Sequence, residues 1–237
     1  MNLILLFESD FLDGDRMRLA GRRLEHVTRV HRAKTGDELT VGMAGGKMGR
    51  GVVTRLDDEA LELRVTFDRD PPPPLDVTLI LALPRPKVLN RVIAGATSLG
   101  VKRIVLINAW RVEKSYWKSP RLDEENLLLQ SILGLEQARD TMLPLIELRR
   151  LFRPFVEEEL PRLAEGTRKL VAHPIADAPF PRECNEPLTI AIGPEGGFID
   201  AEISSLERVG FTRVSMGERI LRVETAVAAL LWAAGRG

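Results

Sequence analysis

Hydrophobic and polar positions follow different patterns before and after residue 70. In the first part, short runs of Val, Leu and Thr alternate with turn residues, and they predict strands at 37–43, 49–56 and 60–67. Short strands separated by glycine-containing turns are typical of a small β-rich domain. The segment "AGRRLEHVTRVHR" (20–32) has helical spacing instead and predicts one helix among these strands.

After residue 75 the pattern becomes an alternation of strands and helices. The predicted strands are 76–83, 102–109, 167–173, 186–192 and 212–216, and the predicted helices are 87–100, 122–139, 200–210 and 223–235. The segment 155–164 is a weaker helix because Pro161 interrupts it. Strands that are apolar almost throughout, alternating with helices, predict an α/β domain whose mostly parallel sheet is covered by helices.

Four consecutive prolines, in "RDPPPPLD" (69–76), separate the two patterns. Each proline removes a backbone donor and fixes φ, so the stretch favours an extended, semi-rigid connector. We therefore predict a β-rich domain over residues 1–70, a proline linker over 71–75 and an α/β domain over 76–237.

The charge distribution changes this picture only locally. The chain has 34 basic and 34 acidic side chains and a formal net charge of +0, so the whole molecule does not attract a polyanion. From Arg16 to Lys34, however, seven basic residues stand against the single acid Glu25. This cluster is either a solvated helix face or a surface that binds phosphates.

The remaining composition indicates a soluble, cytoplasmic protein. The single cysteine, Cys184, excludes an internal disulfide and fits a reducing compartment. The opening "MNLILLF" has no basic residues before it and predicts a strand, and no segment approaches the roughly 20 apolar residues that span a bilayer. The three histidines lie far apart, and nothing in the sequence has metal-ligand spacing.

Candidate chemistry begins at "IGPEGGF" (192–198), where a buried strand enters a turn with three glycines and one carboxylate. In open α/β sheets, ligands bind beyond the carboxyl ends of the strands, and glycine lets a ligand approach the backbone. The turn matches neither the phosphate loop nor the dinucleotide fingerprint, and Glu195 would repel a phosphate. It favours a ligand with a cationic or donor portion. The alternative is a turn whose glycines serve geometry alone.

Two further loops favour a composite ligand pocket. "SMGERILRVETAVAALLWAA" (215–234) follows the next strand and places Arg219, Arg222 and Glu224 at the start of an apolar helix. "VAHPIADAP" (171–179) leaves the strand before the glycine turn. Loops from successive strand ends that carry polar residues out of proportion to their length predict one shared site.

Taken together, "HPIA", "IGPEGGF" and "MGERILRVETA" resemble the RsmE-type uridine-N3 methyltransferases of small-subunit (16S) ribosomal RNA, within the SPOUT class. "EHVTRVHRAKTGDEL" (25–39) is similar to the amino-terminal pattern of that family. The resemblance implies a SPOUT-type trefoil-knotted sheet behind a PUA-like β-barrel that binds RNA. It also implies a homodimer that acts on the small ribosomal subunit and uses S-adenosylmethionine as cofactor.

The resemblance also assigns site residues. The cofactor-binding positions that it implies are His173, Pro174, Gly193, Glu195, Gly196, Gly197, Met216, Gly217, Ile220, Leu221 and Arg222. Because the implied reaction removes the uracil N3 proton, our candidate catalytic residues are Glu224, as proton acceptor or pocket organiser, and Arg222, as stabiliser of uracil oxygens or RNA phosphate. Alternatively, Arg222 and Glu224 form a structural pair at a helix start.

The basic cluster gains a candidate role from the PUA-like pattern beside it. The predicted RNA-binding residues are Arg22, Arg23, Arg29, Arg32 and Lys34. Trp110, Tyr116 and Trp117, in "NAWRVEKSYWKSP" (108–120), contact RNA by stacking, or they belong to the core or a dimer contact.

The middle of the chain departs from the family pattern. Gly95 and Ser98 replace a lysine and a glutamate, and Asp140 stands where an arginine is usual because Arg139 falls one position early. We expect these positions to face the RNA or the active site. They leave two alternatives open. The protein is an inactive RNA-binding or ribosome-assembly factor, or it is a methyltransferase that acts on a different RNA nucleotide.

Overall fold

The computed structural model describes residues 2–176, 178–181, 184 and 186–235. Within it the chain divides into two compact units. The first contains Met1–Pro73 together with Ile132–Leu143, and the second contains Pro74–Ser131 and the residues from Pro144 onward. The return of residues 132–143 to the first unit has no counterpart in the division that the prolines predict.

The first unit is built on a six-stranded sheet in the order β1-β4-β5-β6-β3-β2. Its strands are β1 (Ile4–Leu6), β2 (Phe11–Asp13), β3 (Arg16–Leu19), β4 (Glu38–Met43), β5 (Met48–Leu56) and β6 (Leu61–Arg69). β1 pairs with β4 in parallel, and the other neighbours are antiparallel. A helix, α1 (Arg22–His26), continues into a π-helical turn (Val27–His31) before β4.

Alternation along the strands creates the core of the first unit. Leu61, Leu63 and Val65 of β6 are buried, whereas the residues between them are more exposed, so one face of the strand joins the core. The strands predicted from this alternation are confirmed, as is the helix before them. β2 and β3 were not predicted, since β2 is fully exposed and β3 contributes only two buried side chains.

Two of the predicted RNA-binding arginines, Arg22 and Arg23, form ion pairs with carboxylates of the first unit. Both terminal nitrogens of Arg22 donate to Glu136, at 2.8 and 3.2 Å, and Glu136 is only 1% exposed. Arg23 donates to Asp10 at 2.6 Å and to the carbonyl oxygen of Leu5 at 3.0 Å. Because a buried carboxylate requires a partner, both arginines stabilise the fold of this unit.

The second unit contains a six-stranded sheet in which every neighbouring pair is parallel. Its order is β12-β10-β11-β7-β8-β9. The strands are β7 (Leu75–Ala82), β8 (Val101–Ile107), β9 (Leu145–Arg149), β10 (Arg168–Ala172), β11 (Leu188–Ile192) and β12 (Thr212–Val214). The predicted parallel α/β sheet is therefore confirmed.

Helices cover this sheet. They are α2 (Pro86–Ser98), the part of α3 (Glu124–Ala138) before residue 132, α4 (Phe152–Pro154), α5 (Leu160–Leu163), α6 (Asp200–Arg208) and α7 (Val223–Ala234). A π-helical turn, Phe155–Glu159, joins α4 to α5, so Pro161 does not interrupt the helical path. It lies in the first turn of α5, directly after the π-helical turn. β9 was not predicted, because it is a half-exposed edge strand.

Strand register brings four loops to one edge of the sheet. Ile192 at the end of β11 pairs with Ala172 at the end of β10 and with Leu81 near the end of β7. Val214, the last residue of β12, pairs with the same Ala172. The chain therefore leaves β7, β10, β11 and β12 at one level, which is where parallel sheets bind ligands.

Two kinds of feature are absent from the described part of the chain. No helix within it combines the length and apolarity needed to cross a bilayer. Nor does it contain a group of three or more His, Cys, Asp or Glu side chains placed to hold a metal ion.

The ion pair of Glu136 predicts a measurable loss of stability on substitution. Glu136→Gln removes the charge that Arg22 neutralises and weakens the bond from the Leu5 N–H, at 3.4 Å. We expect the free energy of unfolding in urea, followed by circular dichroism, to fall by about 1–3 kcal/mol. Glu158→Gln, at an exposed glutamate, is the control and changes it by less than about 0.5 kcal/mol. Equal stability of the two variants would contradict this role.

Candidate functional site

A cleft of about 610 Å³ opens at the carboxyl edge of the parallel sheet, in the second unit. The loops after β10, β11 and β12 line it, together with the beginnings of α2 and α7. Among the residues that line it are His173, Pro174, Gly193, Glu195, Gly197, Met216, Gly217, Ile220, Leu221 and Arg222. The three loops that the sequence suggested as one pocket thus meet in the structure.

The glycine turn after β11 is shaped by close backbone approach. The N–H of Gly197 donates to the carbonyl oxygen of Pro194 at 2.7 Å, and Gly197 has φ +72°. A Cβ on Gly193 would lie 2.8 Å from the backbone nitrogen of Phe198. Glycine is therefore required at Gly193 by contact and at Gly197 by conformation.

Gly196 and Glu195 face different surroundings in the same turn. A Cβ on Gly196 would lie 2.9 Å from Cδ of Arg111, whose guanidinium donates to the Gly196 carbonyl oxygen. Gly196, although predicted to bind cofactor, is thus on the side of the turn that contacts Arg111. Glu195 accepts a hydrogen bond of 2.9 Å from the N–H of Arg85, the residue before α2, and so fixes the turn to the start of that helix.

The loops after β10 and β12 support each other through backbone hydrogen bonds. The N–H of His173 donates to Val214, and the N–H of Ser215 donates to Ala178, at 2.9 and 2.8 Å. Gly217, with φ +108°, donates its N–H to Oγ of Ser215 at 3.0 Å. The two walls of the cleft are therefore joined at its base.

Apolar side chains line the cleft at two depths. Ile192, Val214 and Leu230 are buried beneath it. Met216 is 41% exposed, Leu221 is 36% exposed and Ile220 is 83% exposed, which is unusual for three apolar side chains in one loop. Exposed apolar groups at a cleft indicate that a ligand with a flat or apolar part covers them.

At the start of α7, Glu224 has a partner that the sequence did not suggest. Glu224 accepts a hydrogen bond of 3.0 Å from Arg91 of α2, and both line the cleft. The structural pair considered from the sequence therefore joins Glu224 to Arg91 rather than to Arg222. Within the described residues, the Arg222 guanidinium has no hydrogen-bond or ion-pair partner, so it is available to a ligand. No local pattern distinguished Arg91 from other polar positions of α2.

Of the three family departures, Asp140 is buried, whereas Gly95 and Ser98 lie on α2 outside the cleft. Asp140 is 2% exposed and accepts a hydrogen bond of 2.9 Å from the N–H of Met142, so the expectation that it faces RNA or the active site is wrong. A Cβ on Gly95 would meet open space, and Oγ of Ser98 donates to the Gly95 carbonyl oxygen at 2.8 Å. Neither residue lines the cleft.

The other predicted RNA-binding side chains are exposed. Arg29, Arg32 and Lys34 lie on the surface of the first unit, at and after the π-helical turn. Arg32 has a left-handed backbone, with φ +52°, and ends the turn. These three cations are accessible to a polyanion, in contrast to the paired Arg22 and Arg23.

Comparison with known proteins defines the class. The family model described as "RNA methyltransferase domain" matches residues 71–235, which is more than half of the chain. A ribosomal RNA small subunit methyltransferase E from Synechocystis sp. is 31% identical over 214 residues, covering 88% of this chain and 69% of the relative. A protein of the same name from Treponema pallidum is 29% identical over 237 residues, covering 97% and 88%.

Solved structures agree. A Legionella pneumophila methyltransferase structure in complex with bound cofactor SAM has a TM-score of 0.78 and 25% identity, covering 98% of this chain and 96% of that one. A ribosomal RNA small subunit methyltransferase E from Neisseria gonorrhoeae, bound to S-adenosyl methionine, has a TM-score of 0.76 at 22% identity and shows the shared fold. This chain belongs to the ribosomal RNA small subunit methyltransferase E family of RNA methyltransferases, as its motifs predicted.

The glycine turn generates a prediction with an internal control. Gly193→Ala places a methyl group against the backbone of Gly197 and Phe198, so the turn must shift. We expect the free energy of unfolding to fall by about 1–3 kcal/mol. Gly95→Ala, in a helix with open space around its Cβ, instead raises it by about 0.5–1 kcal/mol. Urea unfolding of both variants checks the opposite signs, and a neutral Gly193→Ala would contradict the close approach.

Proposed function

We propose that this protein transfers a methyl group from S-adenosylmethionine to N3 of a uridine in small-subunit (16S) ribosomal RNA. The observation that carries the proposal is the meeting of three strand-end loops in one cleft. Relatives of similar length carry the name ribosomal RNA small subunit methyltransferase E. The motifs of this chain that resemble those of the uridine-N3 enzymes lie in the same three loops.

The cleft fits the proposed cofactor in size and chemistry. Its volume of about 610 Å³ lies within the roughly 300–1,000 Å³ of small-molecule sites. Met216, Ile220 and Leu221 offer apolar contacts to a flat ring, and the bare backbone of the glycine turn offers hydrogen bonds to polar edges. Glu195 favours the cationic portion of the methionyl group.

The residues at the start of α7 supply the proposed chemistry. When bound, S-adenosylmethionine supplies an electrophilic methyl group. Glu224 would accept the proton of uracil N3, and the nitrogen lone pair would then form the new N–C bond as the S–CH3 bond breaks and S-adenosylhomocysteine leaves as a neutral thioether. Arg222, at the amino-terminal cap of α7, stabilises the negative charge that develops on the uracil oxygens. Arg91 orients the Glu224 carboxylate through their ion pair.

The first unit supplies a second contact with the RNA in this proposal. Its sheet and helix suit a PUA-like, barrel-like RNA-binding domain. The exposed Arg29, Arg32 and Lys34 neutralise phosphates, and this contribution weakens steeply with salt. Arg22 and Arg23, which were predicted from the sequence alongside them, contribute through the fold that their carboxylate partners maintain.

Three further features complete the proposal. A trefoil knot is supported by the backbone hydrogen bonds of Ser215 to residues 178 and 180. Through these bonds, the chain after β12 lies alongside the loop after β10. A homodimer is supported by Trp232, which is 71% exposed on the apolar helix α7. A cytoplasmic location follows from the ribosomal RNA target.

The roles at α7 are tested by methyl transfer from labelled S-adenosylmethionine to small ribosomal subunits. We expect label in 3-methyluridine after digestion, and we expect Glu224→Gln to lower kcat by about 10²–10⁴-fold while cofactor affinity is retained. Glu207→Gln removes an equally ion-paired carboxylate outside the cleft and leaves the rate unchanged.

The assay tests each component of the proposal separately. A full rate for Glu224→Gln excludes this residue as the proton acceptor. Label in another nucleoside excludes N3 of uridine as the target. Cofactor binding without any label in RNA favours the non-catalytic RNA-binding alternative.

The Arg91 contact gives a smaller expected effect. Because Arg91 is 62% exposed, solvent screens its ion pair with Glu224. We expect Arg91→Gln to lower kcat about two- to fivefold without changing the KM for S-adenosylmethionine. Arg91→Lys keeps a cation and restores most of the rate. A loss of cofactor affinity instead would assign Arg91 to the cofactor site.

A further inference from the structure

The loop after β8 (108–121) carries an exposed tryptophan on a fixed backbone. Trp110 is 79% exposed, more than any other large aromatic side chain in the described part of the chain. The backbone N–H of Trp110 nevertheless donates to Oε1 of Glu202 at 2.7 Å. The next residue, Arg111, donates to the carbonyl oxygen of Gly196 in the glycine turn. The backbone of Trp110 is therefore held by Glu202 and its neighbour Arg111 contacts the glycine turn, while the indole itself is exposed.

Glu202 makes this attachment rigid. It is 6% exposed, and its second oxygen, Oε2, accepts the N–H of Ile199 at 3.0 Å in front of α6. One buried carboxylate thus joins the start of α6 to the backbone of Trp110. The other aromatic side chains of the loop are held as well, since Trp117 donates to Asn108 at 2.9 Å and Tyr116 to Glu113 at 3.0 Å. Of the three aromatic residues, only Trp110 is left to solvent.

The charged side chains of the same loop indicate which kind of molecule Trp110 contacts. Arg111, Lys114, Lys118 and Arg121 are exposed, against the single acid Glu113, whose carboxylate is engaged by Tyr116. A flat apolar ring among cations suits a chain of bases and phosphates, because bases stack on indole rings while cations neutralise the phosphates. An apolar protein surface would gain the ring but desolvate Lys114, Lys118 and Arg121, and would leave Arg111 with only its bond to Gly196.

We propose that Trp110 is a stacking platform for a base of the substrate RNA, next to the cleft, with the cations of its loop on the adjoining phosphates. The proposal rests on the proposed function for the identity of the substrate as RNA. Trp110 binds and positions the nucleic acid, whereas Glu224 and Arg222 act on the target base.

Binding is measured apart from catalysis. The probe is a fluorescein-labelled 12-nucleotide oligouridylate at fixed salt, followed by anisotropy with the full-length protein. We expect Trp110→Ala to weaken binding by about five- to hundredfold, the range that base–aromatic stacking gives. Trp110→Phe keeps a flat ring and stays within about threefold of the wild type. Trp110→Leu keeps apolar bulk without a flat ring and behaves like Trp110→Ala.

Two controls accompany the series. Calorimetry with S-adenosylmethionine gives the same affinity for all four proteins, because Trp110 does not line the cleft. Sedimentation gives the same oligomeric state. Methyl transfer by Trp110→Ala shows a raised KM for RNA with little change in kcat.

Several results overturn the proposal. Wild-type affinity of Trp110→Leu or Trp110→Ala for the oligonucleotide excludes stacking, and a changed oligomeric state in Trp110→Ala makes the residue a protein contact. These failures are distinct from failure of the proposed function, in which the wild type binds RNA and S-adenosylmethionine but transfers no label.

Discussion

The structure depends first on the register of four parallel strands. Because Ala172, Ile192 and Val214 end their strands at one level, the three loops that follow have no alternative but to share the same edge. Hydrogen bonds between the loops after β10 and β12, and the glycine contacts after β11, then fix the shape of that edge. The cleft is thus a consequence of strand pairing, with glycine at the positions where backbone meets backbone.

Helix α2 orients the acidic side chains that line this cleft. Both carboxylates of the cleft, Glu195 and Glu224, are bound to it, the first at its amino-terminal end and the second through Arg91. Among the described residues, the guanidinium of Arg222, at the start of α7, has no ion-pair partner. In the proposed mechanism, the oriented carboxylate of Glu224 removes a proton and the cation of Arg222 stabilises the resulting charge.

Sequence patterns predicted the parts of this molecule whose environment is set locally. The central strands β7 and β11 are apolar because both faces are covered, and the glycine-rich loops are recognisable from composition and motif. β2 and β9 escaped prediction because neither strand has a buried side chain, so both lack that signal. Charge counts near residues 16–34 did not reveal that Arg22 pairs with Glu136, which lies 114 positions along the chain. Arg91, Arg111 and Glu202 were missed for the same reason, since their roles arise from contacts distant in sequence.

The most direct test of the central claim is a crystal structure of the protein grown with S-adenosylhomocysteine. The account predicts the nucleoside among Met216, Ile220 and Leu221, with polar contacts to the glycine turn at 193–197. Binding elsewhere on the sheet, or an open edge at saturating ligand, would contradict the claim that these loops form a methyl-donor site.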